Sequence, residues 1–346
     1  MTFSPKATHA QRQKAVAGLV AELNADKRPI LLGPYRSELG FEASYWLPFL
    51  TWLAKRVKGF DQRASVVTRG GLAPLYQAIA HQGFDLYALR SVTEVRRENL
   101  RQQAETGLLK QMAVTPFDEG VLDDAADALK VPRPFHVVHP AWMYWALEPF
   151  WAEDAGLKYL MSLADYSAPI AKPALHDEAP LPPKFVAVKF YARHTFPYPH
   201  PEVGEWVQQT VATIAAQAPV VLLSSSPDYD DHMDVPLTGP NIISLNPGPP
   251  EVNLYQQAQV LGKATAFVGT YGGVAQLALR MGIPSLSVYA QWSGTAHAHF
   301  ALSSYLSKHT NVPFCCGSLQ DSQLWRQVLS VPMQSPTQIA AQMVAA

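Results

Sequence analysis

The sequence predicts an α/β fold made of two Rossmann-like domains that face each other across a cleft. Short apolar runs alternate with helix-periodic segments on both sides of residues 166–184, and that stretch itself holds five prolines without sustained periodicity. A length of 346 residues also fits two domains, because single hydrophobic cores stop growing at about 250–300 residues. We therefore expect an N-terminal domain over 1–168, a proline-rich linker over 169–183 and a C-terminal domain over 184–346.

The N-terminal half opens with an amphipathic helix and continues as alternating strands and helices. RPILLGPY is an apolar run ended by Gly33 and Pro34, which predicts a buried strand, and FEASYWLPFLTWLAKRV predicts a helix. The further predicted strands are RASVVT, FDLYAL, AVTPF and FHVVHP, and the further helices are APLYQAIAHQG, SVTEVRRENLRQQAETGLLKQM and DEGVLDDAADALK. This alternation is typical of βαβ units and a parallel sheet.

The C-terminal half repeats the alternation. Its predicted strands are FVAVKFY, PVVLLSSS, NIISLNP, TAFVGTYG and PSLSVYA, and its predicted helices are EVGEWVQQTVATIAAQ, VNLYQQAQVLGKA and GVAQLALRMG. Residues 336–346 are predicted to form a short helix that packs back on the first domain. Ligands of such sheets bind outside the carboxyl ends of the strands, so the loops that follow strands are the place to look for functional residues.

Composition excludes several classes of protein. Lys and Arg number 27 against 28 Asp and Glu, so there is no general electrostatic field for nucleic acid, and any phosphate site must be local. The two cysteines, Cys315 and Cys316, have no zinc-type spacing, which favours a reduced, cytoplasmic protein. The most apolar stretch, residues 45–54, is half of the roughly 20 residues that span a bilayer. We expect no transmembrane segment, and peripheral membrane association stays open.

The most informative segment is AFVGTYGGVAQLALRMGIPSLSVY, in which a strand ends at Val268 and a helix begins near Val274. Glycines in such a turn allow close backbone approach, and the amides at the helix start attract anions. An ordinary turn with glycines for tight packing is the alternative. We predict a phosphate site in the turn, formed by Thr270, Tyr271, Gly272 and Gly273.

Cations and polar groups follow the neighbouring strands. Lys189 and Arg193 lie at and after the end of FVAVKFY, where Arg offers a bidentate fork for phosphate and Lys a point charge. Surface salt bridging is the alternative for both. Ser225 and Asn246 follow the next two strands and are predicted to contact a nucleoside. The acidic segment SSSPDYDDHMD is interpreted as a solvated loop rather than a metal site.

Two stretches, 33–53 and 266–289, resemble GT-B glycosyltransferases, notably the heptosyltransferase-like group. The resemblance implies transfer of a sugar from a nucleotide-sugar donor to a hydroxyl acceptor such as a glycan, with inversion. It also implies that the turn and helix hold the donor diphosphate, that cations near it assist, and that neither a metal nor another cofactor is needed. The chain departs from the family in the first loop, where the heptosyltransferases have Asp and this sequence offers Glu38 and Glu42.

Inverting transfer needs a general base for the acceptor hydroxyl. Glu38 is the preferred candidate, and Glu42 is an alternative that helix capping would also explain. His139 is a third candidate because its ordinary pKa lies near neutrality, although a structural histidine is the more frequent case. Arg36 is predicted to bind an acidic acceptor or to pair with Glu38.

Two further clusters and two further functions stay open at this point. The aromatic residues of AWMYWALEPFW suit either a sugar platform or, more often at helical spacing, a core. His297 and His299 lack a third ligand, so no metal is expected there. The alternatives to transfer are a sugar-nucleotide epimerase of GT-B fold and a non-catalytic protein that binds a sugar or nucleotide.

Overall fold

The computed structural model describes residues 3–107, 111–174, 181–192, 196, 201–225, 233–290 and 296–321. The chain divides into two compact units: unit 1 comprises Met1–Ala168 with Pro250–Leu254, and unit 2 comprises Pro169–Pro249 with Tyr255–Ala346. Each unit is built on a parallel sheet, which confirms the α/β class. Within the described ranges, no helix combines the length and apolarity required to cross a bilayer. The predicted helix over 336–346 lies outside them.

Unit 1 has a four-stranded parallel sheet in the order β3-β2-β1-β4. Its elements are α1 (His9–Ala25), β1 (Ile30–Leu32), α2 (Leu39–Phe41), α3 (Leu47–Ala54), α4 (Phe60–Arg63), β2 (Ala64–Thr68), β3 (Gln82–Asp85), α5 (Val92–Thr106), α6 (Pro116–Ala128), β4 (His136–Val138), α7 (Pro140–Trp151) and α8 (Leu157–Met161). Since β1 lies between β2 and β4, the order of the strands reverses at β1. The loops after β1 and β4 therefore flank a topological switch point, where open α/β sheets bind ligands.

A π-helical segment, Glu42–Trp46, joins α2 to α3. Pro48 has no N–H to give to the carbonyl of Ser44 four residues earlier, and the Tyr166 hydroxyl donates to that carbonyl instead, at 2.7 Å. Such segments often occur at functional sites, because they shift side chains relative to a regular helix. Here the segment begins with a candidate residue, Glu42.

Two predictions in unit 1 are wrong. AVTPF is not a strand, because Thr115 caps α6 and forms a capping box with Asp118. The segment APLYQAIAHQG forms only a short 3₁₀ turn, Ala73–Tyr76, and β3 begins earlier than predicted. The turn and the strand approach so closely that a Cβ on Gly83 would lie 2.5 Å from that of Ala73.

Unit 2 has a six-stranded parallel sheet in the order β12-β11-β10-β5-β7-β9, and a short antiparallel pair of β6 with β8. Its elements are β5 (Val186–Lys189), β6 (Tyr191–Ala192), α9 (Pro201–Ala215), β7 (Val220–Leu222), β8 (Met233–Asp234), β9 (Ile242–Ser244), α10 (Pro250–Lys263), β10 (Ala266–Thr270), α11 (Gly273–Arg280), β11 (Ser285–Tyr289), α12 (Ala296–Thr310) and β12 (Phe314–Ser318). The first residues of α10, Pro250–Leu254, are the ones that group with unit 1. This is the doubly wound order, with its switch point between β5 and β10. The elements α12 and β12 were not among the predictions.

The core of unit 2 shows which way the switch-point strands face. Val186 and Val188 of β5 pack with Val207 and Val211 of α9 in one buried cluster. Side chains alternate across a strand, so Lys189 projects to the opposite face at the carboxyl end of β5. The sheet thus brings a lysine to its switch point.

The adjacent thiols of Cys315 and Cys316 lie on the edge strand β12, in register with Leu286 and Ser287 of β11. Neighbouring strand residues project to opposite faces, so their Sγ atoms cannot meet while β12 stays paired. Burial raises the pKa of both thiols. We expect a thiol reagent to react at least about tenfold more slowly with the native protein than in urea. Equal rates with Ellman's reagent would contradict this placement.

Candidate functional site

The carboxyl ends of β5 and β10 form one edge, defined here as the β5/β10 edge by residues 189–192 and 270–273. Gly269 pairs with Lys189, and a Cβ on Gly269 would lie 2.1 Å from the Lys189 carbonyl oxygen. The Thr270 hydroxyl accepts from the Tyr191 N–H at 3.2 Å and lies 3.5 Å from the Tyr191 carbonyl oxygen. Thr270 is buried. Its hydroxyl therefore links the end of β10 to Tyr191 of β6 within the protein. We therefore assign it to support of the site rather than to phosphate binding.

Helix α11 begins at this edge after Gly272, whose backbone is extended. A Cβ on Gly272 would lie 1.9 Å from the Tyr191 hydroxyl oxygen, so the closeness of Tyr191 requires a glycine at position 272. The first amides of α11 have no carbonyl partner within the helix, and the positive end of the helix dipole lies with them. Gly272 and Gly273 are partly exposed. This is the arrangement that binds anions at helix N-termini.

The Tyr271 side chain turns away from the edge. Its hydroxyl lies 3.3 Å from Ser303 Oγ, and its ring packs near Phe314, with 5.9 Å between ring centroids. Burial raises the pKa of this hydroxyl well above its ordinary value. Only the backbone of Tyr271 is therefore placed in the turn, and its side chain belongs to the packing of α12 and β12, which the sequence did not reveal.

Lys189 is only 5% exposed, and its ammonium group is surrounded by oxygen atoms of the protein. Nζ lies 2.9 Å from the Leu223 carbonyl oxygen, 2.6 Å from Ser225 Oγ and 3.2 Å from Asp234 Oδ1. The Ser225 N–H donates to the other Asp234 oxygen at 2.6 Å. We call these four residues the Lys189 cluster. Ser225, predicted to contact a nucleoside, is thus a partner of Lys189, and sequence reasoning missed the role of Asp234.

The structure says less about the other predicted residues of unit 2, Asn246 and Arg193. Asn246 is exposed after β9, and its side-chain oxygen accepts from the Gly248 N–H at 3.2 Å. Arg193 lies outside the described residues, as does the acidic segment 226–232. Among the residues that are described, no group of three His, Cys, Asp or Glu is placed to hold a metal ion.

In unit 1, Arg36 follows β1 and is 1% exposed. Its Nε donates to Asp118 at 2.8 Å, one terminal nitrogen donates to Gln102 at 2.7 Å, and the other donates to Asn99. An acidic acceptor would have to break these bonds. We therefore reassign Arg36 from acceptor binding to anchoring the loop after β1 on α5 and α6.

Asp118 is the centre of this buried network. Besides Arg36, it accepts from the Thr115 hydroxyl at 2.9 Å, and its Oδ2 lies 3.4 Å from His139 Nε2. Burial disfavours the charged form of Asp118, but the neighbouring His139 and Arg36 outweigh that effect and hold the pKa of Asp118 well below its ordinary value. The network therefore favours the ionised form of the Asp118 carboxylate beside the Arg36 guanidinium.

His139 is 2% exposed and caps helix α7, with its Nδ1 accepting from the Ala141 N–H at 3.1 Å. Since Nδ1 is an acceptor, the ring proton lies on Nε2, which faces Asp118. Nδ1 is hydrogen-bonded within the fold, and Nε2 is buried 3.4 Å from the Asp118 carboxylate. This placement favours the structural alternative over the predicted role of His139 as a base.

The two glutamates of the first loop differ in exposure. Glu42 is 1% exposed, and its Oε1 accepts from the Tyr76 hydroxyl at 2.5 Å and from the Thr68 hydroxyl. Burial and the charge of Glu42 raise the pKa of Tyr76 well above its ordinary value, so Tyr76 stays a neutral donor. Glu38 is partly exposed and precedes α2 without capping it through its side chain. Of the two carboxylates, Glu38 is the one that solvent reaches.

The aromatic residues of α7 form a core rather than an open platform. Trp142 and Trp145 are 8% and 6% exposed and pack against Phe3, with ring centroids 5.0 and 4.9 Å apart. The Trp145 indole N–H donates to the Ser4 carbonyl at 2.8 Å. Phe3 and Ser4 therefore pack against these indole rings, which favours the core interpretation of the cluster.

Comparison with known proteins finds similarity only among solved structures, since no family model and no curated protein matches. A glycosyl transferase of family 9 from Veillonella parvula has a TM-score of 0.44 and 11% identity over 93% of this chain and 97% of its own. E. coli heptosyltransferase WaaC with ADP has a TM-score of 0.42 and 14% identity over 84% and 93%. The iron-containing dodecameric glycosyltransferase TibC from E. coli has a TM-score of 0.42 and 11% identity, over 78% of this chain and 60% of its own.

These matches include the heptosyltransferase group that the two stretches of sequence resemble. This chain spans less than two thirds of the length of TibC. At TM-scores below 0.5, the similarity assigns neither a substrate nor a residue role to this chain.

Proposed function

We propose that the protein is a GT-B-type glycosyltransferase that moves a sugar from a nucleotide-sugar donor to a hydroxyl acceptor. The observation that carries the proposal is the start of α11, where Gly272 and Gly273 are partly exposed at the switch point between β5 and β10. A diphosphate is the part of a nucleotide-sugar that such a helix start recognises.

The same amides suit the chemistry of the leaving group. When the bond between the anomeric carbon and the diphosphate oxygen breaks, negative charge develops on that oxygen. Fixed amide dipoles placed at developing charge stabilise the transition state. The proposal assigns this role to Gly272, Gly273 and the start of α11 rather than to a metal ion, and it assigns the nucleoside to the exposed Asn246 after β9.

The acceptor hydroxyl must lose its proton as its oxygen attacks the anomeric carbon. We assign the base to Glu38 of unit 1, which keeps a partly exposed carboxylate on the loop that Arg36 anchors. The proton passes to that carboxylate, the new glycosidic bond forms with inversion, and the nucleoside diphosphate leaves.

A nucleotide panel tests the proposal directly. We expect at least one of ADP, UDP, GDP, CDP and dTDP to raise the melting temperature, because a ligand at 100 times its Kd stabilises the native state by about 2.7 kcal/mol. The matching monophosphate should raise it less, since it lacks the second phosphate. Absence of a shift with every diphosphate would refute the proposal.

Gly272→Ala should weaken binding of that diphosphate at least about tenfold, because the new Cβ collides with the Tyr191 hydroxyl and displaces the start of α11. Isothermal titration checks this. In the double variant with Tyr191→Phe, the nearest ring carbon is 3.2 Å from that Cβ, so binding should partly recover. Gly18→Ala, where no atom lies within 4 Å of the added Cβ, is the control. Unchanged affinity in Gly272→Ala would remove α11 from the site.

A further inference from the structure

We infer that Asp234 competes with the anionic ligand for the ammonium group of Lys189, so that binding of a phosphate at the β5/β10 edge displaces the Asp234 carboxylate. The inference rests on the proposed function for the identity of that ligand, a nucleoside diphosphate. It assigns to Asp234 the role of an internal inhibitor of donor binding.

The first step concerns the position of Lys189. It ends β5, directly opposite Gly269 of β10, and so stands at the switch point where the proposed diphosphate binds. Its side chain is buried, yet it carries a charge that the turn 270–273 does not neutralise. An ammonium at such a point is a natural partner for phosphate. The sequence predicted that role, but the structure places three protein oxygens around Nζ.

The second step asks which of these oxygens can yield to a phosphate. Leu223 is fixed in the sheet, since its N–H donates to the Val188 carbonyl at 2.9 Å. The Ser225 hydroxyl is neutral and can remain beside a phosphate as a donor. Asp234 carries a negative charge, so it and a phosphate on the same ammonium would repel each other. Asp234 is therefore the partner that must leave.

The third step concerns how easily Asp234 can leave. Its side chain is 29% exposed, against 4% for that of Lys189, so the carboxylate can turn into water, where its charge is solvated. Asp234 belongs to β8, a two-residue strand that, in the part of the chain that the structure describes, pairs with the two residues of β6. Tyr191 of β6 pairs directly with Asp234 and reaches Gly272 with its hydroxyl. Release of Asp234 is thus linked through Tyr191 to the start of α11.

The test is Asp234→Asn, titrated with inorganic pyrophosphate and with the nucleoside diphosphates of the panel. Asparagine keeps the shape and the acceptor for the Ser225 N–H but removes the negative charge that Asp234 places beside Lys189. We expect pyrophosphate to bind at least about tenfold more tightly than to the wild type. The variant should also melt at a lower temperature than the wild type without pyrophosphate, and gain more from its addition.

Two controls isolate the effect. The double variant Lys189→Met with Asp234→Asn lacks the ammonium and should lose the gain in affinity. Asp124→Asn removes the same charge from the exposed surface of α6 and should leave pyrophosphate affinity unchanged. If Asp234→Asn does not fold, Asp234→Ser must show the same gain.

The outcomes separate this inference from the proposed function. Equal or weaker pyrophosphate binding by the folded Asp234 variant overturns the inference, whatever nucleotides the wild type binds. A gain that persists in the double variant overturns it as well. If the variant gains affinity for pyrophosphate while no nucleoside diphosphate binds to either protein, the competition stands and the glycosyltransferase proposal fails.

Discussion

Replacing Asp118 by asparagine should lower the free energy of unfolding by about 3–5 kcal/mol, the cost of removing one partner from a buried ion pair. Arg36, 1% exposed, would keep its charge without the carboxylate that now lies 2.8 Å from its Nε. The asparagine amide would also meet the Arg36 guanidinium with a donor where an acceptor is needed. Urea unfolding at pH 7 measures the loss.

The loss should depend on pH in a defined direction. The pKa of Asp118 is lowered in the native state, so its charge stabilises the fold above the ordinary carboxyl pKa, and that stabilisation declines as pH falls toward the native pKa. Asparagine does not titrate. The difference between wild type and Asp118→Asn should therefore be full at pH 7 and shrink below about pH 4.

Asp124→Asn on the same helix is the matched control. Its side chain is 48% exposed and pairs with Arg90 on the surface, where an ion pair contributes about 0–1 kcal/mol. If both variants lose the same small amount, the Asp118 network does not hold the loop after β1. A large loss confined to Asp118→Asn supports the assignment of Arg36 as an anchor.

The sequence was sufficient for those parts of the fold that local patterns encode. The strands β1, β5 and β10 follow from short apolar runs bounded by turn residues, and the Gly272 turn follows from its glycines. In contrast, β12 is FCCGS, in which a glycine and a serine follow the cysteines, so no apolar run bounded by turn residues marked it. Its place next to β11 depends on tertiary pairing.

The partners of the candidate residues could not be predicted, because they are distant in the chain. Arg36 and Asp118 are 82 positions apart, and Lys189 meets Asp234 through a short ribbon that has no sequence signature. A charged residue at a strand end looks the same in sequence whether it serves a ligand or another side chain. The burial of the charged residue distinguishes a ligand-binding role from a structural one. That burial depends on which helices cover the strand end.

Glu38→Gln should reduce turnover by about 10²–10⁴-fold, the usual contribution of a general base, while leaving donor affinity unchanged. The backbone carbonyl of Glu38 accepts from the Tyr35 hydroxyl at 2.9 Å and from the Glu42 N–H at 3.1 Å. Glutamine preserves both bonds, so the fold should be retained. Transfer from the donor that the panel identifies gives kcat and KM separately.

Glu42→Gln provides the contrast, because Glu42 differs from Glu38 in burial rather than in chemistry. Its Oε1 receives the hydroxyls of Thr68 and Tyr76 inside the unit, so glutamine should lower the free energy of unfolding by about 1–3 kcal/mol. Turnover in the folded fraction should remain. The reverse result, with Glu38→Gln active and a folded Glu42→Gln inactive, would move the base to Glu42. Proton transfer would then have to reach a carboxylate that is 1% exposed.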